Sequence, residues 1–488
     1  MKKRVYLSVI CALVITATAS DLGTVQVESS TIDDKFESTR SEVSSVAVIT
    51  AEDIKKLNPK SITDVLNTIP GLTASNVGND RVKLHIRGVG NHLYMGEQPG
   101  VAVVIDGVPV QETTGKINVD LDNIASIKVI KGGASYLFGN DALGGAVIIT
   151  TKRGKGKDST KAEFEAGSFG SKRMLASTNQ SFENSVIRVQ ATYRDTDGYW
   201  DDSYLTHSSI NGKYSYYIDD SSDIVFGLDY TKRDTGDGNT VSGLTNAIED
   251  PKSTTEVSYS AYYDTTLIKT FATYSKDLKD KSNFMFNIYS YTDNTDNYTR
   301  RAFSKTYHRD FKEEEWLQNG LKSEYRKPYD SFAFMTGIDI QRNSVKNLTY
   351  DTDATKVVGA LDGDSDTKED VNAIYAELKN QWSPSLSSTL NARYDNISYD
   401  YVNNIDNTYN VDPSYNVGSY RAGLNYKLNK SSNAYVSVST GFKVPTASQV
   451  STNQEGIRLG DIESGDIDEE TTYNYEIGIT GKAFELNY

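Results

Sequence analysis

"VIRVQATYR", residues 186–194, places Ile187, Val189, Ala191 and Tyr193 on one side of an extended chain and Arg188, Gln190, Thr192 and Arg194 on the other, because successive strand side chains point to opposite faces. "YRAGLNYKL", residues 420–428, repeats the pattern: Tyr420, Ala422, Leu424, Tyr426 and Leu428 alternate with Arg421, Gly423, Asn425 and Lys427. "FAFMTGIDI" at 332–340 and "AYVSVST" at 434–440 behave likewise. The period of two predicts strands with one apolar and one polar or small face, which suits either a soluble sandwich or a membrane barrel.

The connections separate the two. Short turns at "SFENS", "IDDSSD", "KDLKDKS", "KPYDS", "SPSLS" and "NKSS" alternate with long polar stretches at 232–262, 294–315, 344–370 and 399–416. One tight end and one elaborate end is the pattern of a transmembrane antiparallel β-barrel, with short periplasmic turns and long external loops. Tyr outnumbers Phe 33 to 15, which suits aromatic girdles at the bilayer interfaces and equally suits loops that bind carbohydrates or siderophores.

The beginning of the chain reads as an export signal. Lys2, Lys3 and Arg4 precede an apolar run from Val5 to Ala17 that closes on Ala17-Thr18-Ala19, a small-x-small cleavage pattern. The run is shorter than the roughly 20 apolar residues of a membrane span, so residues 1–19 are expected to be a secretory signal peptide cleaved near Ala19. Cys11 is the sole cysteine, so disulfides cannot staple the exported chain, and a large core or a closed sheet must stabilise it. The formal charge of −15 becomes more negative without the three signal cations, which argues against a nucleic-acid partner.

Residues 20–43 are polar, with a short apolar alternation at Leu22, Val25 and Val27, and read as a flexible arm and linker carrying a short extended motif. Residues 44–153 change character. "AEDIKKL" and "SITDVLNTI" have helical spacing, the second capped by Ser61, whereas "VKLHIRG", "GVAVVIDGVPV", "IASIKVI" and "GAVIITT" read as strands, so a small α+β domain is expected. Inside it, "IKVIKGGASYLFGNDALGGAVIITTKRG", residues 127–154, sets two β-branched runs around a glycine-rich loop. A P-loop needs four residues between its glycines and then Lys-Ser/Thr; here Gly133 and Gly139 are separated by five, and Asn140 follows, so the phosphate reading fails. The dinucleotide fingerprint also fails, leaving tight turns and close backbone approach as the role of the glycines.

Taken in order, these segments resemble a TonB-dependent outer-membrane receptor of the siderophore-receptor type over essentially the whole chain. "LGTVQVES" resembles the energy-coupling box; "SVAVITAEDIKKL", "SITDVLNTIPGL", "LHIRGVG", "VAVVIDGVPV" and the glycine loop resemble successive blocks of the plug; "TGFKVPTASQV" and "NYEIGITG" resemble barrel landmarks. The resemblance implies a mainly β fold: a transmembrane antiparallel barrel over residues 158–488, 22-stranded in the family and about 14 strands here, with an N-terminal α+β plug over 44–153 in its lumen. It implies a TonB box at Leu22, Gly23, Thr24, Val25, Gln26 and Val27, where an extended segment can add to a partner sheet edge. It implies an apical plug loop whose Asn91, His92, Tyr94, Met95, Glu97 and Gln98 are candidate ligand contacts. Arg87, Gly88, Asp106, Gly107, Gly132, Gly139, Gly144 and Gly145 become structural plug positions, and Arg87 is expected to be a buried partner rather than a ligand contact.

The implied function is active uptake of a ferric siderophore or similar iron complex across the outer membrane of a Gram-negative bacterium, driven by the inner-membrane proton-motive motor. The implied partners are the TonB periplasmic domain, the ligand and outer-membrane lipid. A cobalamin or other large-nutrient receptor, or a surface binding barrel that transports nothing, is the alternative. No cofactor, metal site or enzyme is expected: His85, His92, His207 and His308 form no zinc-type cluster, and Asp362, Asp364 and Asp366 lack the Gly and Glu that complete an EF-hand, Thr367 and Ala373 standing there instead. The strand count reads as a C-terminally truncated receptor; a complete 14-stranded barrel is the alternative, with a lumen too narrow for such a plug.

Overall fold

The computed structural model describes residues 45–77, 81–89, 100–110, 119–154, 158–237, 241, 243–252, 261–303, 306–352, 358–429, 432–447, 449–451, 467–483 and 486–487. The expected signal peptide, the arm with its TonB box (22–27) and the apical residues 91–98 lie outside them.

The N-terminal unit is α+β. Its main sheet contains β1 (Ser45–Thr50), β4 (Val101–Ile105), β5 (Val108–Pro109), β6 (Ile124–Lys131) and β7 (Gly145–Thr151) in the order β1-β6-β7-β4-β5. Only β4 and β7 run parallel. A separate hairpin pairs β2 (Leu72–Val77) with β3 (Arg81–Ile86). Two short helices, α1 (Ala51–Leu57) and α2 (Ile62–Leu66), both start in capping boxes, from Thr50 with Asp53 and from Ser61 with Asp64. Each box satisfies otherwise unpaired amides at the helix start. The sheet's β-branched runs are covered on both faces, which is why β4 and β7 are buried throughout and carry apolar runs rather than alternation, β7 turning polar only at Thr150 and Thr151. Val65, Leu66, Ile86, Val103, Ile105, Ile127, Val129, Val147 and Ile149 form the core, each worth roughly 1.5–3 kcal/mol when fully buried.

The rest is a 15-stranded antiparallel sheet ordered from β22 (Leu486–Asn487) sequentially to β8 (Ser159–Ala166). Its members include β9 (Lys172–Ser181), β10 (Ser185–Thr196), β11 (Leu205–Asp219), β12 (Ser222–Asp237) and β13 (Ala261–Asp277). They continue through β14 (Asn283–Phe303), β15 (Thr306–Pro328), β16 (Phe332–Thr352) and β17 (Val358–Gln381). The last full strands are β18 (Leu386–Asn403), β19 (Ser414–Lys427), β20 (Ser432–Lys443) and β21 (Glu470–Ala483).

The polarity of this sheet is inverted relative to a soluble protein. On β18, Leu390 and Tyr394 are each 51% exposed, whereas Arg393 and Asp395 between and beside them are 3% and 0%. On β19, Tyr420, Leu424 and Tyr426 face out while Arg421 and Asn425 are buried. An apolar outer belt with buried charge inside is what a bilayer requires and what water would penalise. Wall residues Leu267 and Tyr291 join the core cluster of the α+β unit, and Met335 and Tyr375 join a second one around Tyr136 and Ala146. The α+β unit is therefore packed against the inner face of the barrel wall.

Two expectations change. The polar stretches 294–315 and 344–370 are mostly strand: β14 to β17 run for 21, 23, 21 and 24 residues. Strands that rise beyond the lipid can carry polar residues on both faces while their backbone ladder continues, so the apolar alternation fades before the strand ends. Asp362, Asp364 and Asp366 accordingly lie in β17 and not in a loop. Conversely, β1 and β2 were not singled out as strands in the sequence.

Candidate functional site: the contact between plug and wall

The glycine loop joins β6 to β7, whose antiparallel register pairs Lys131 with Gly145. Between them lies a single helical turn, α3 (Ser135–Phe138), pressed into the wall at β18 to β20. Ser135 Oγ accepts from the Phe442 amide at 2.9 Å, and Asn140 Oδ1 accepts from the Val444 amide at 2.9 Å. Thr472 Oγ1 donates to the Leu143 carbonyl at 3.2 Å. The backbones touch here: a Cβ added to Gly133 would stand 2.6 Å from the Thr440 carbonyl carbon, and one on Gly441 would stand 2.7 Å from Leu143 Cα. Only glycine allows such an approach. The Arg421 guanidinium lies 4.5 Å from the Tyr136 ring centre, and Lys322 Nζ lies 5.8 Å from that of Phe138, distances at which cation and ring attract.

Gly139, at φ 73, passes directly over Arg393. Arg393 is held by Asp395 at 2.7 Å and Asp339 at 3.3 Å, and it donates to the Leu137 carbonyl at 3.4 Å. Gly132 sits against Asn474 of β21, and Gly144 against Val89. Gly145 closes the loop beside the Ile130 carbonyl.

A second anchor is ionic. Asp106 and Gly107, both at positive φ (54 and 80), turn the chain between β4 and β5. Asp106 accepts from the Thr151 amide at 2.9 Å, from Thr151 Oγ1 at 2.7 Å and from Lys213 Nζ of β11 at 2.9 Å; Lys269 Nζ of β13 is 4.0 Å away. Lys269 also pairs with Asp229 at 2.8 Å. Nearby, Asp120 meets Arg194 at 3.0 Å and Ser209 Oγ at 2.8 Å, and Asp122 bonds Arg173. Burial disfavours the charge of Asp106 and Asp120, but the facing cations outweigh it, Lys213 and Lys269 for the first and Arg194 for the second. Both carboxyls therefore titrate below their ordinary range.

The third anchor reverses the signs. Arg87, at φ 52 just after β3, is a partner of the wall as expected but is exposed rather than buried: it reaches Glu476 of β21 at 2.5 Å, and the Tyr435 hydroxyl donates to the same oxygen at 2.7 Å. Gly88 follows at φ 78. Lys131 donates to the Pro70 carbonyl at 2.7 Å. Thus Arg87, Asp106, Gly132 and Gly139 each meet the wall, at separate points of it. The wall partners Lys213, Lys269, Arg194, Arg393 and Glu476 were not singled out from sequence, although Arg194 and Arg421 stood on the polar faces of their strands. Among the described residues, no group of three or more His, Cys, Asp or Glu side chains is placed to hold a metal, and no helix is long and apolar enough to cross a membrane.

A wall of inverted polarity around a docked α+β unit defines a plugged membrane barrel. Residues 38–146 match the TonB-dependent Receptor Plug Domain, and residues 199–488 match the TonB dependent receptor-like β-barrel. The chain belongs to the TonB-dependent receptor family, receptors and transporters of the Gram-negative outer membrane. Among curated relatives, it is 28% identical over 172 residues to the vitamin B12 transporter BtuB of Vibrio vulnificus, a match covering 34% of this chain and 27% of that protein. It is 30% identical over 120 residues to the iron-regulated outer membrane virulence protein of Vibrio cholerae, covering 22% of this chain and 17% of that one. Among solved structures, the ferric citrate transporter FecA in its unliganded form superposes with TM-score 0.78 at 18% identity, over 91% of this chain and 68% of that one. The ferric yersiniabactin uptake receptor FyuA of Yersinia pestis superposes at 0.73 and 16%, over 91% and 70%. At such identities the structural likeness shows the fold.

Proposed function

We propose that the protein imports a ferric siderophore or similar iron complex across the outer membrane, with energy delivered mechanically through its N-terminal arm. The observation that carries the proposal is the docking itself. The plug is seated on the wall by backbone contact, buried ion pairs and one reversed ion pair, so passage of a bulky ligand requires work on these contacts. The outer membrane holds no ATP, so the work is supplied from the inner membrane. Leu22, Gly23, Thr24, Val25, Gln26 and Val27 are the handle, added as a strand to the TonB periplasmic domain. Ligand is captured outside by the apical segment with Asn91, His92, Tyr94, Met95, Glu97 and Gln98. Residues 1–19 direct export and are removed. The iron-uptake functions in the names of FecA and FyuA support iron chelates as the ligand class.

The segment shared with BtuB supports a second reading, uptake of cobalamin. Accumulation of radiolabelled ferric siderophores and of labelled cobalamin, in cells with and without the gene, separates the two. Gene-dependent iron uptake is expected; gene-dependent cobalamin uptake alone would overturn the iron assignment.

A further inference from the structure

Asp141 stands out among the groups of the glycine loop. It is 6% exposed, takes the left-handed backbone conformation at φ 65, and neither carboxylate oxygen has a hydrogen-bond partner among the described residues. Its neighbours Asn140 and Ala142 are both held: Asn140 takes the Val444 amide of the wall, and the Ala142 carbonyl takes the Ala134 amide across the loop while lying 2.8 Å from where a Cβ on Gly441 would stand. Asp141 therefore cannot turn to water without disturbing the contact between plug and wall. A buried carboxylate without hydrogen bonds is costly when ionised.

The charged and titratable groups facing it come from three wall strands. Lys443 of β20 favours its ionised form, and Glu369 of β17 opposes it. Tyr399 of β18, the register partner of Glu369, is also within electrostatic reach. Glu369 is itself buried and accepts from Asn343 Nδ2 at 2.6 Å. Around this group, Arg393 is engaged by Asp395 and Asp339 beneath Gly139, and Arg421 stacks on Tyr136. Burial pushes the Asp141 carboxyl up to about 7, with Lys443 pulling back and Glu369 adding to the rise.

We propose that Asp141 is a proton-operated latch on the plug: its neutral carboxyl lets the glycine loop stay seated on β17 to β20, and ionisation loosens that seat. The sign follows from linkage. Undocked and solvated, the group has an ordinary carboxylate pKa near ~3.9. Between that value and its docked value the seated loop holds one more proton than the open one. Opening then becomes easier by roughly tenfold per pH unit across this window and levels off above the docked value.

The test uses the exported protein in outer-membrane vesicles, where the proposed removal of residues 1–19 takes away Cys11, the only cysteine, with a reporter thiol introduced as Ala134→Cys, a fully buried loop position. Maleimide labelling is followed from pH 5 to pH 8.5 in this background and in the same background with Asp141→Asn. Asn tolerates the left-handed conformation and mimics the neutral carboxyl, and the ratio of the two rates cancels the thiol's own titration. The ratio is expected to climb roughly tenfold per unit up to about pH 7 and then flatten. A ratio independent of pH would overturn the latch. Glu369→Gln supplies a second reading: removing the opposing carboxylate should bring the plateau to lower pH, and an unmoved plateau would contradict the assignment.

Discussion

Asp106→Asn is the perturbation that probes the ionic anchor most cleanly. Asp106 has a φ of 54, which Asn also tolerates, so the substitution removes charge and spares the backbone turn. Lys213 loses its counter-ion but keeps the Thr151 carbonyl at 3.1 Å, and Lys269 keeps Asp229 at 2.8 Å. Breaking a buried ion pair from one side costs about 3–5 kcal/mol. The acceptors that remain place the loss near the lower end, about 3 kcal/mol, or roughly 100-fold in the docking equilibrium. Hydrogen exchange of the full chain in bilayer nanodiscs, resolved by peptide, reads it: amides of β4, β5 and β7 should exchange roughly 100-fold faster, while β16 to β18 stay unchanged. The double variant Asp106→Asn with Lys213→Met should recover much of the protection, because it removes the stranded lysine. Unchanged plug exchange, or equal acceleration throughout the barrel, would refute the anchoring argument. Since the folded carboxyl titrates below its ordinary range, the contribution is complete above the ordinary carboxylate pKa. It is lost only as pH falls toward the lower folded value.

Further outcomes follow from the other two anchors. Gly133→Val should unseat the glycine loop, seen as chymotrypsin cleavage at Tyr136, Leu137 or Phe138, because the new side chain meets the Thr440 backbone. Gly418→Ala, with nothing within 4 Å of the added carbon, should leave cleavage unchanged. Arg87→Gln should cost only about 1 kcal/mol, roughly fivefold in exchange at β3, because the Arg87 side chain is 36% exposed and Tyr435 still serves Glu476. A loss as large as that of Asp106→Asn would show that exposure does not weaken the pair.

The architecture was legible because its signals are local. Period-two alternation located the wall, and helical spacing with Ser61 at its cap located α1 and α2 within the plug. The long strands β14 to β17 were under-read because their outer ends lose the apolar face that marks a strand in lipid. The site was legible only on one side. Glycines announce unusual backbone, so Gly132 and Gly139 could be singled out, whereas Asp106 came only with the family resemblance. Lys213, Lys269, Arg393 and Glu476 are ordinary polar-face residues of alternating strands. The pairing of Arg87 with Glu476 joins residues 389 apart in the chain, a separation no local pattern encodes. Asp141 carries no local mark for the same reason, since the charged groups that face it come from β17, β18 and β20.

The proposed import requires the plug to be worked from the periplasmic side through residues 22–27. The direct measurement compares full-length protein with a variant lacking residues 22–27, at matched surface abundance, for both ligand binding and accumulation of radiolabelled ferric siderophore. Equal binding is expected, with accumulation lost to the level of cells without the gene. Accumulation that persists at the full rate without those residues would contradict it.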